Sequence, residues 1–253
     1  MGWHEQLFRY CERGLDPSFW AEPFNAVSNL AFLAVAAVMF GRLRRLPSTV
    51  PAGHRAALHL LVALVAVVAA GSFLFHTFAT RWALIADVAP IGIFMTVYLA
   101  FALRAMLGLG WTSTGSIMAA FLAATVVLSN IACPSKAAYG VLPVMGQLAV
   151  RGEPCLKGTI GYVPALLALV VTGCLIRRRH PASRDLLAAA AIFFCAMLLR
   201  WLDRDLCRVT WVFGAVRGTH ALWHLLNAAT IALLMSAAIR AVAPSQQAGE
   251  KPH

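Results

Sequence analysis

The sequence predicts an all-α protein, an integral membrane seven-transmembrane-helix bundle. Composition points there first. The 253 residues are 60% hydrophobic and only 12% charged, against about 25% charged in a soluble domain. The mean hydropathy is +0.75. Segmentation points the same way, because the apolar residues fall into runs near the ~20 residues that a helix needs to cross a bilayer. A third observation is the position of the ionisable residues inside those runs, which a count of seven puts in one leaflet. The net charge of +11 does not indicate nucleic acid. Its basic residues cluster between apolar runs, as at Arg42, Arg44 and Arg45 or Arg177, Arg178 and Arg179. That is the pattern of loop charges that set topology.

Residues 1–22 are polar and aromatic and are expected to form an interfacial segment. They carry Glu5, Arg9, Glu12, Arg13, Asp16 and Glu22 and no apolar core run, so a signal peptide is not expected. Proline suits the first turn of a helix, and an acid before it suits the helix dipole, so Glu22 and Pro23 mark a start. The first span is read at 23–40. Its Asn25, Ser28 and Asn29 share a face that should point inward. A basic loop leads to the second span, 56–77, which ends with Ser72 and His76 four apart on one face. The third, 82–106, carries Asp87 one to two turns in. The fourth is read at 112–132. In the loop that follows, 133–158, the apolar part 139–150 is too short to cross. The fifth is 159–176 and the sixth 185–202. The seventh, 219–241, opens with His220 and His224. The bundle domain is therefore 23–243, and 244–253 is expected to be a disordered tail.

Ionisable side chains at membrane depth are costly and mark function. With seven spans, the end of the second, the start of the third and the start of the seventh all lie on the N-terminal side. Ser72, His76, Asp87, His220 and His224 then converge, together with Glu22 and the polar face of the first span. Six or eight spans would scatter them. His59 falls at the far end of its span and is excluded. The compact basic clusters at 42–55 and 177–184 favour an N-terminus outside and a C-terminus in the cytoplasm. Cys11, Cys133, Cys155 and Cys207 all fall on the N-terminal side, outside the apolar cores, and disulfides persist in oxidising compartments. A Cys11–Cys207 bridge would tie the N-terminal segment to the loop before the seventh span. Cys133–Cys155 is a second candidate pair. Cys174 and Cys195 lie within spans and read as packing residues.

Two histidines four apart on a helix lie on one face, about 6 Å apart along the axis. A catalytic zinc usually takes three protein ligands and a water, and His76 supplies the third beside His220 and His224. Zinc lowers the pKa of bound water toward about 7. Asp87 is placed to accept the water's proton, and Ser72 to donate to the oxyanion formed when hydroxide adds to a carbonyl. This set suits hydrolysis of an amide or ester, and its depth suits a lipid substrate entering from the bilayer.

These residues resemble a known family. Ser72 and His76, Asp87, and His220 and His224 resemble the membrane hydrolase superfamily that includes alkaline ceramidases and adiponectin-receptor-like proteins. Tyr10-Cys11-Glu12, followed by the stretch from Ala21 to Asn29 (AEPFNAVSN), is similar to the alkaline ceramidase branch. The resemblance implies zinc on His76, His220 and His224, with Ser72 and Asp87 in the roles above. It implies hydrolysis of the N-acyl bond of ceramide to a sphingoid base and a fatty acid. It also implies the Cys11–Cys207 disulfide and an N-terminus outside. Some family members bind calcium through the N-terminal segment. Here Glu12 and Glu22 match and Asp16 is a further candidate ligand, but Arg9 and Gly14 stand where the family has an acid and an Asn. Glu12 could instead pair with Arg9 or Arg13. The compact, Ala- and Arg-rich chain looks prokaryotic, which would place it in a cell inner membrane.

Two other readings compete. A lipid-sensing receptor on the same zinc scaffold would show little turnover, but the short loops offer a partner little surface. A haem carrier would need ligands on opposite faces of the ring. His220 and His224 share one helix face, and that reading leaves Ser72 and Asp87 without a role.

Overall fold

A computed structural model describes residues 2–132, 155–177 and 180–243. Seven helices among them are long and apolar enough to cross a membrane. The protein is a multi-pass membrane protein and its fold is an all-α bundle.

The first span is broken. Helix α1 (Pro23–Ser28) and helix α2 (Leu30–Leu43) meet at Asn29. The Asn29 side-chain amide donates to the carbonyl oxygens of Asn25 and Ala26, competing with the helix ladder as Asn side chains do. Helix α3 (Ala52–Phe78) and helix α4 (Arg81–Phe101, extended by a π turn at Ala102–Met106) follow. Ala79, in left-handed conformation, and Thr80 make the short turn between them. Helix α5 is Trp111–Ser129. The fifth span starts earlier than its apolar run, with 3-10 turns at Cys155–Tyr162, and continues as helix α6 (Val163–Leu175). Helices α7 (Ala182–Leu202) and α8 (His220–Val242) complete the bundle. The loop between them holds a hairpin absent from the sequence reading, β1 (Trp211–Val212) against β2 (Ala215–Val216). Its turn places Phe213 and Gly214 at positive φ, the geometry that favours two-residue hairpins.

The core runs the length of the bundle. Leu43, Leu58, Leu61, Leu186, Met235, Ala237 and Ala238 are completely buried toward the end away from His76 and His220. At the other end, residues 2–22 fold over the helix termini. Leu7 N–H donates to Ala79 O at 2.6 Å, Gln6 bridges Thr80, and Cys11, Arg13 and Glu22 are buried. A Cys11–Cys207 disulfide, with Cα atoms 5.6 Å apart, staples this segment to the α7–α8 loop. Cys133 and the tail 244–253 lie outside the described residues. Cys155 is disulfide-bonded. Cys174 and Cys195 are free and exposed on the bundle surface, not buried as packing residues.

Candidate metal centre

Three elements bring the site together. His76 is at the C-terminal end of α3, and His220 and His224 open α8. All three are buried. Their candidate ligand nitrogens lie within 4.8 Å of one another. Their rings pack at centroid distances of 4.6–5.1 Å. Among the described residues this is the cluster of His, Cys, Asp and Glu that can hold a metal.

Helix α3 reaches α4 through a glycine. A Cβ on Gly71 would lie 1.9 Å from the backbone oxygen of Ala86. The residues that follow, Ser72 and Asp87, are therefore held face to face across the helix contact, both buried. Ser72 Oγ is 3.5 Å from His224 Nε2 and in polar contact with Asp87.

The ligand rings are oriented by outer partners, as metal-binding imidazoles usually are. Glu22 Oε2 accepts from His76 Nδ1 at 2.5 Å and from the Asn25 amide at 2.9 Å. Its other oxygen accepts from Arg13 Nε at 2.6 Å. Arg13 spends its remaining donors on the carbonyls of Asp16, Ser18, His76 and Thr77. Burial opposes ionisation of Glu22, but His76, Asn25 and Arg13 outweigh it and hold its pKa below the ordinary value. Ser28 Oγ lies 2.7 Å from His224 Nδ1. The first span's polar face therefore does turn inward. Asp203 fixes the start of α8 by accepting from the backbone N–H groups of Thr219 (2.7 Å), His220 (2.9 Å) and Cys11 (2.9 Å). An acid at a helix N-terminus also complements its dipole. Gly218 makes room for it. Its φ is +70, and a Cβ there would meet Asp203 Oδ1 at 2.3 Å.

Two ring nitrogens, His76 Nε2 and His220 Nδ1, are buried without a hydrogen-bond partner among the described residues. Buried polar atoms are rarely left so. With His76 Nδ1 committed to Glu22, its Nε2 is free to be a ligand. The donor set therefore fits a metal ion.

Each of the acids considered for calcium has partners of its own. Glu12 Oε1 accepts from Phe24 N–H and Arg217, and Oε2 from Asn25 N–H. It caps α1 and pairs with Arg217, where the sequence left Arg9 or Arg13 as its partner. Burial, the leading influence, raises its pKa despite those donors. Asp16 turns its carboxylate to Ser18 N–H on the surface. Glu22 is occupied by the His76 clamp. Buried Arg13 is the cation paired with Glu22 in this segment.

The cluster opens on a cavity of about 120 Å³ lined by residues of α2 to α8. Tyr10, Ser72, Asp87, Arg200, His220 and His224 line its polar end, and Phe94, Met95, Leu99, Phe121 and Leu234 its apolar depth. The Tyr10 ring stacks on His220 at 3.6 Å, and burial pushes its phenol pKa up. Arg200, Asp203 and Arg13 were not singled out from sequence. The available signal was weak: an arginine near the end of an apolar span, an acid just after it, and an arginine in the N-terminal segment.

A family model described as Ceramidase matches residues 8–252. The chain belongs to the Ceramidase family. That membership implies an amide hydrolase and a lipid substrate. No curated protein and no solved structure matched the chain.

Proposed function

We propose that this Ceramidase-family protein is a zinc-dependent intramembrane amidase that cleaves the N-acyl bond of ceramide, or of a related N-acyl lipid, to an amine base and a free fatty acid. The observation that carries this reading is that a buried three-histidine cluster opens directly onto a deep apolar cavity. Three neutral imidazoles are a usual donor set for catalytic zinc. When bound, the metal supplies Lewis acidity and an activated water at neutral pH.

The chain's own residues do the rest. His76, His220 and His224 hold the ion, and Glu22 and Ser28 keep two of the rings aimed. Asp87 accepts a proton from the attacking water and returns it to the leaving nitrogen. Ser72 donates a hydrogen bond to the carbonyl oxygen as negative charge builds there. The apolar part of the cavity takes the acyl chain and excludes bulk water. The catalytic domain is residues 23–243, and the N-terminus faces outward. The Cys11–Cys207 disulfide at that end supports the orientation, since disulfides persist in oxidising compartments.

The test is metal content and ceramide turnover of detergent-purified protein, wild type beside His220→Ala. One zinc per chain with turnover, both lost in the variant, is the expected result. A different metal would overturn the zinc assignment. Stoichiometric zinc with no hydrolysis of any N-acyl lipid would overturn the amidase reading.

A further inference from the structure

Arg200, at the end of α7, lines the polar end of the cavity, and the mechanism above does not use it. One of its terminal nitrogens donates to Lys157 O at 2.9 Å and Thr159 Oγ1 at 3.0 Å. Its guanidinium lies over the rings of Tyr162 and Trp223, 5.6 Å from each centroid. It is in polar contact with Tyr10, the ring stacked on His220. Arg200 is thus one aromatic ring away from a metal-ligating histidine.

Its hydrogen-bond and ring partners are neutral oxygens and π faces, and Asp87 acts on it through space without forming an ion pair. Among the described residues, no carboxylate lies within ion-pair distance of Arg200. The nearby acids are already paired, Asp205 with Lys157 and Asp203 with three backbone N–H groups. A guanidinium is always charged, and that of Arg200 is half-buried at the cavity wall. Asp87 is the carboxyl present in the lining among the described residues. Asp87 is committed to proton transfer, and a divalent metal would add more positive charge. With the metal bound, the reaction chamber would carry a surplus of positive charge beside the position of the scissile amide.

We propose that Arg200 is a specificity-determining residue, and that the preferred substrate is an N-acyl lipid with an anionic oxygen group, carboxylate or phosphate, on the amine side close to the cleaved bond. The planar guanidinium fork matches both groups. The proposal rests on the amidase reading for the location of that bond. The acyl chain would lie in the apolar depth, away from Arg200, and the anion would sit at the Tyr10–Arg200 end.

Two matched pairs test it: N-palmitoylserine against N-palmitoylserinol for the carboxylate, and ceramide 1-phosphate against ceramide for the phosphate. Each is assayed for turnover, and separately for the thermal stabilisation it gives the metal-loaded protein. The expected result is a preference of about tenfold or more in kcat/KM for the anionic member of one pair, the size of one charge-assisted hydrogen bond. Arg200→Gln should bring that ratio close to one, and Arg200→Lys should keep part of it. One metal per chain verifies that each variant is folded. Should either variant fail that check, the wild-type ratios decide alone. Turnover with no preference in either pair, or a preference unchanged in Arg200→Gln, would overturn the anion site and leave the amidase standing. Stabilisation by the anionic members alone, lost in Arg200→Gln, with no turnover, would do the reverse.

Discussion

The two ends of this bundle are built by different chemistry. At the His76 end the buried groups are charged and polar: Arg13, Glu22, Asn25, Ser72, Asp87, Asp203 and the three histidines. They are held by hydrogen bonds that cross from one chain segment to another. At the far end the largest fully buried side chains are Leu43, Leu58, Leu61, Leu186 and Met235. The ion pair nearest that end, Arg240 with Asp185 at 2.8 Å, has an arginine half exposed at 49%. One end is therefore held by geometry that fails when a single partner is lost. The other is held by packing, which degrades by volume. The contrast shows where this protein accepts the cost of buried charge, which is where imidazoles must be aimed.

Substitutions at four positions break or sharpen that contrast. Glu22→Ala strands Arg13 in the interior and frees the His76 ring. A broken buried pair costs about 3–5 kcal/mol, so thermal unfolding of the purified protein should drop most here, and metal affinity should fall with it. The ionised Glu22 also has a pH signature. Its pKa is lowered in the folded state, so its stabilisation is present in full above the ordinary Glu value of about 4.3. It is lost as pH falls through the lowered value, and unfolding temperatures measured between pH 7 and 3 should show that loss shrink in Glu22→Gln.

Leu61→Ala, at the far end, should cost about 2–5 kcal/mol by cavity formation. It should leave metal content per folded chain and turnover per bound metal unchanged. A loss of metal there would mean the two ends are not separable. Gly71→Ala puts a methyl against the Ala86 carbonyl. We expect about 1–3 kcal/mol of overpacking and a fall in kcat, because Ser72 and Asp87 are pushed apart while the histidines keep their metal. Retained kcat would mean that the close approach does not position those two groups. Arg240→Ala should give the smallest effect, about 0–1 kcal/mol, as exposed ion pairs do, and no change in activity.

Much of this was legible along the chain. Each observed span falls within a few residues of its apolar run. The order of spans alone put Ser72, His76, Asp87, His220 and His224 at one end, since parity is a property of order. The hidden features were breaks in local pattern and pairings across it. The interruption at Asn29 arises from a side chain competing for carbonyls within the helix. The hairpin at Trp211–Val216 lies in a loop whose apolar residues carry no helical period. Glu12 was set beside Arg9 and Arg13 because they are neighbours in sequence, yet its partner is Arg217. The calcium expectation read three acids in one segment as one site, and only the fold shows the partners each has: Arg217 for Glu12, Ser18 for Asp16, and Arg13 and His76 for Glu22.

What the sequence determined by itself was the solvent, the number of crossings and the end at which the polar chemistry gathers. These follow from transfer free energies and helix length, which are local and additive along the chain. What only the tertiary structure decided was who holds whom: Arg13 on Glu22 on His76, Asp203 under the start of α8, Gly71 against Ala86, and Arg200 beside Tyr10 facing the cavity. Those are pairings between elements far apart in sequence. They depend on helix rotation and close approach, which no single segment encodes.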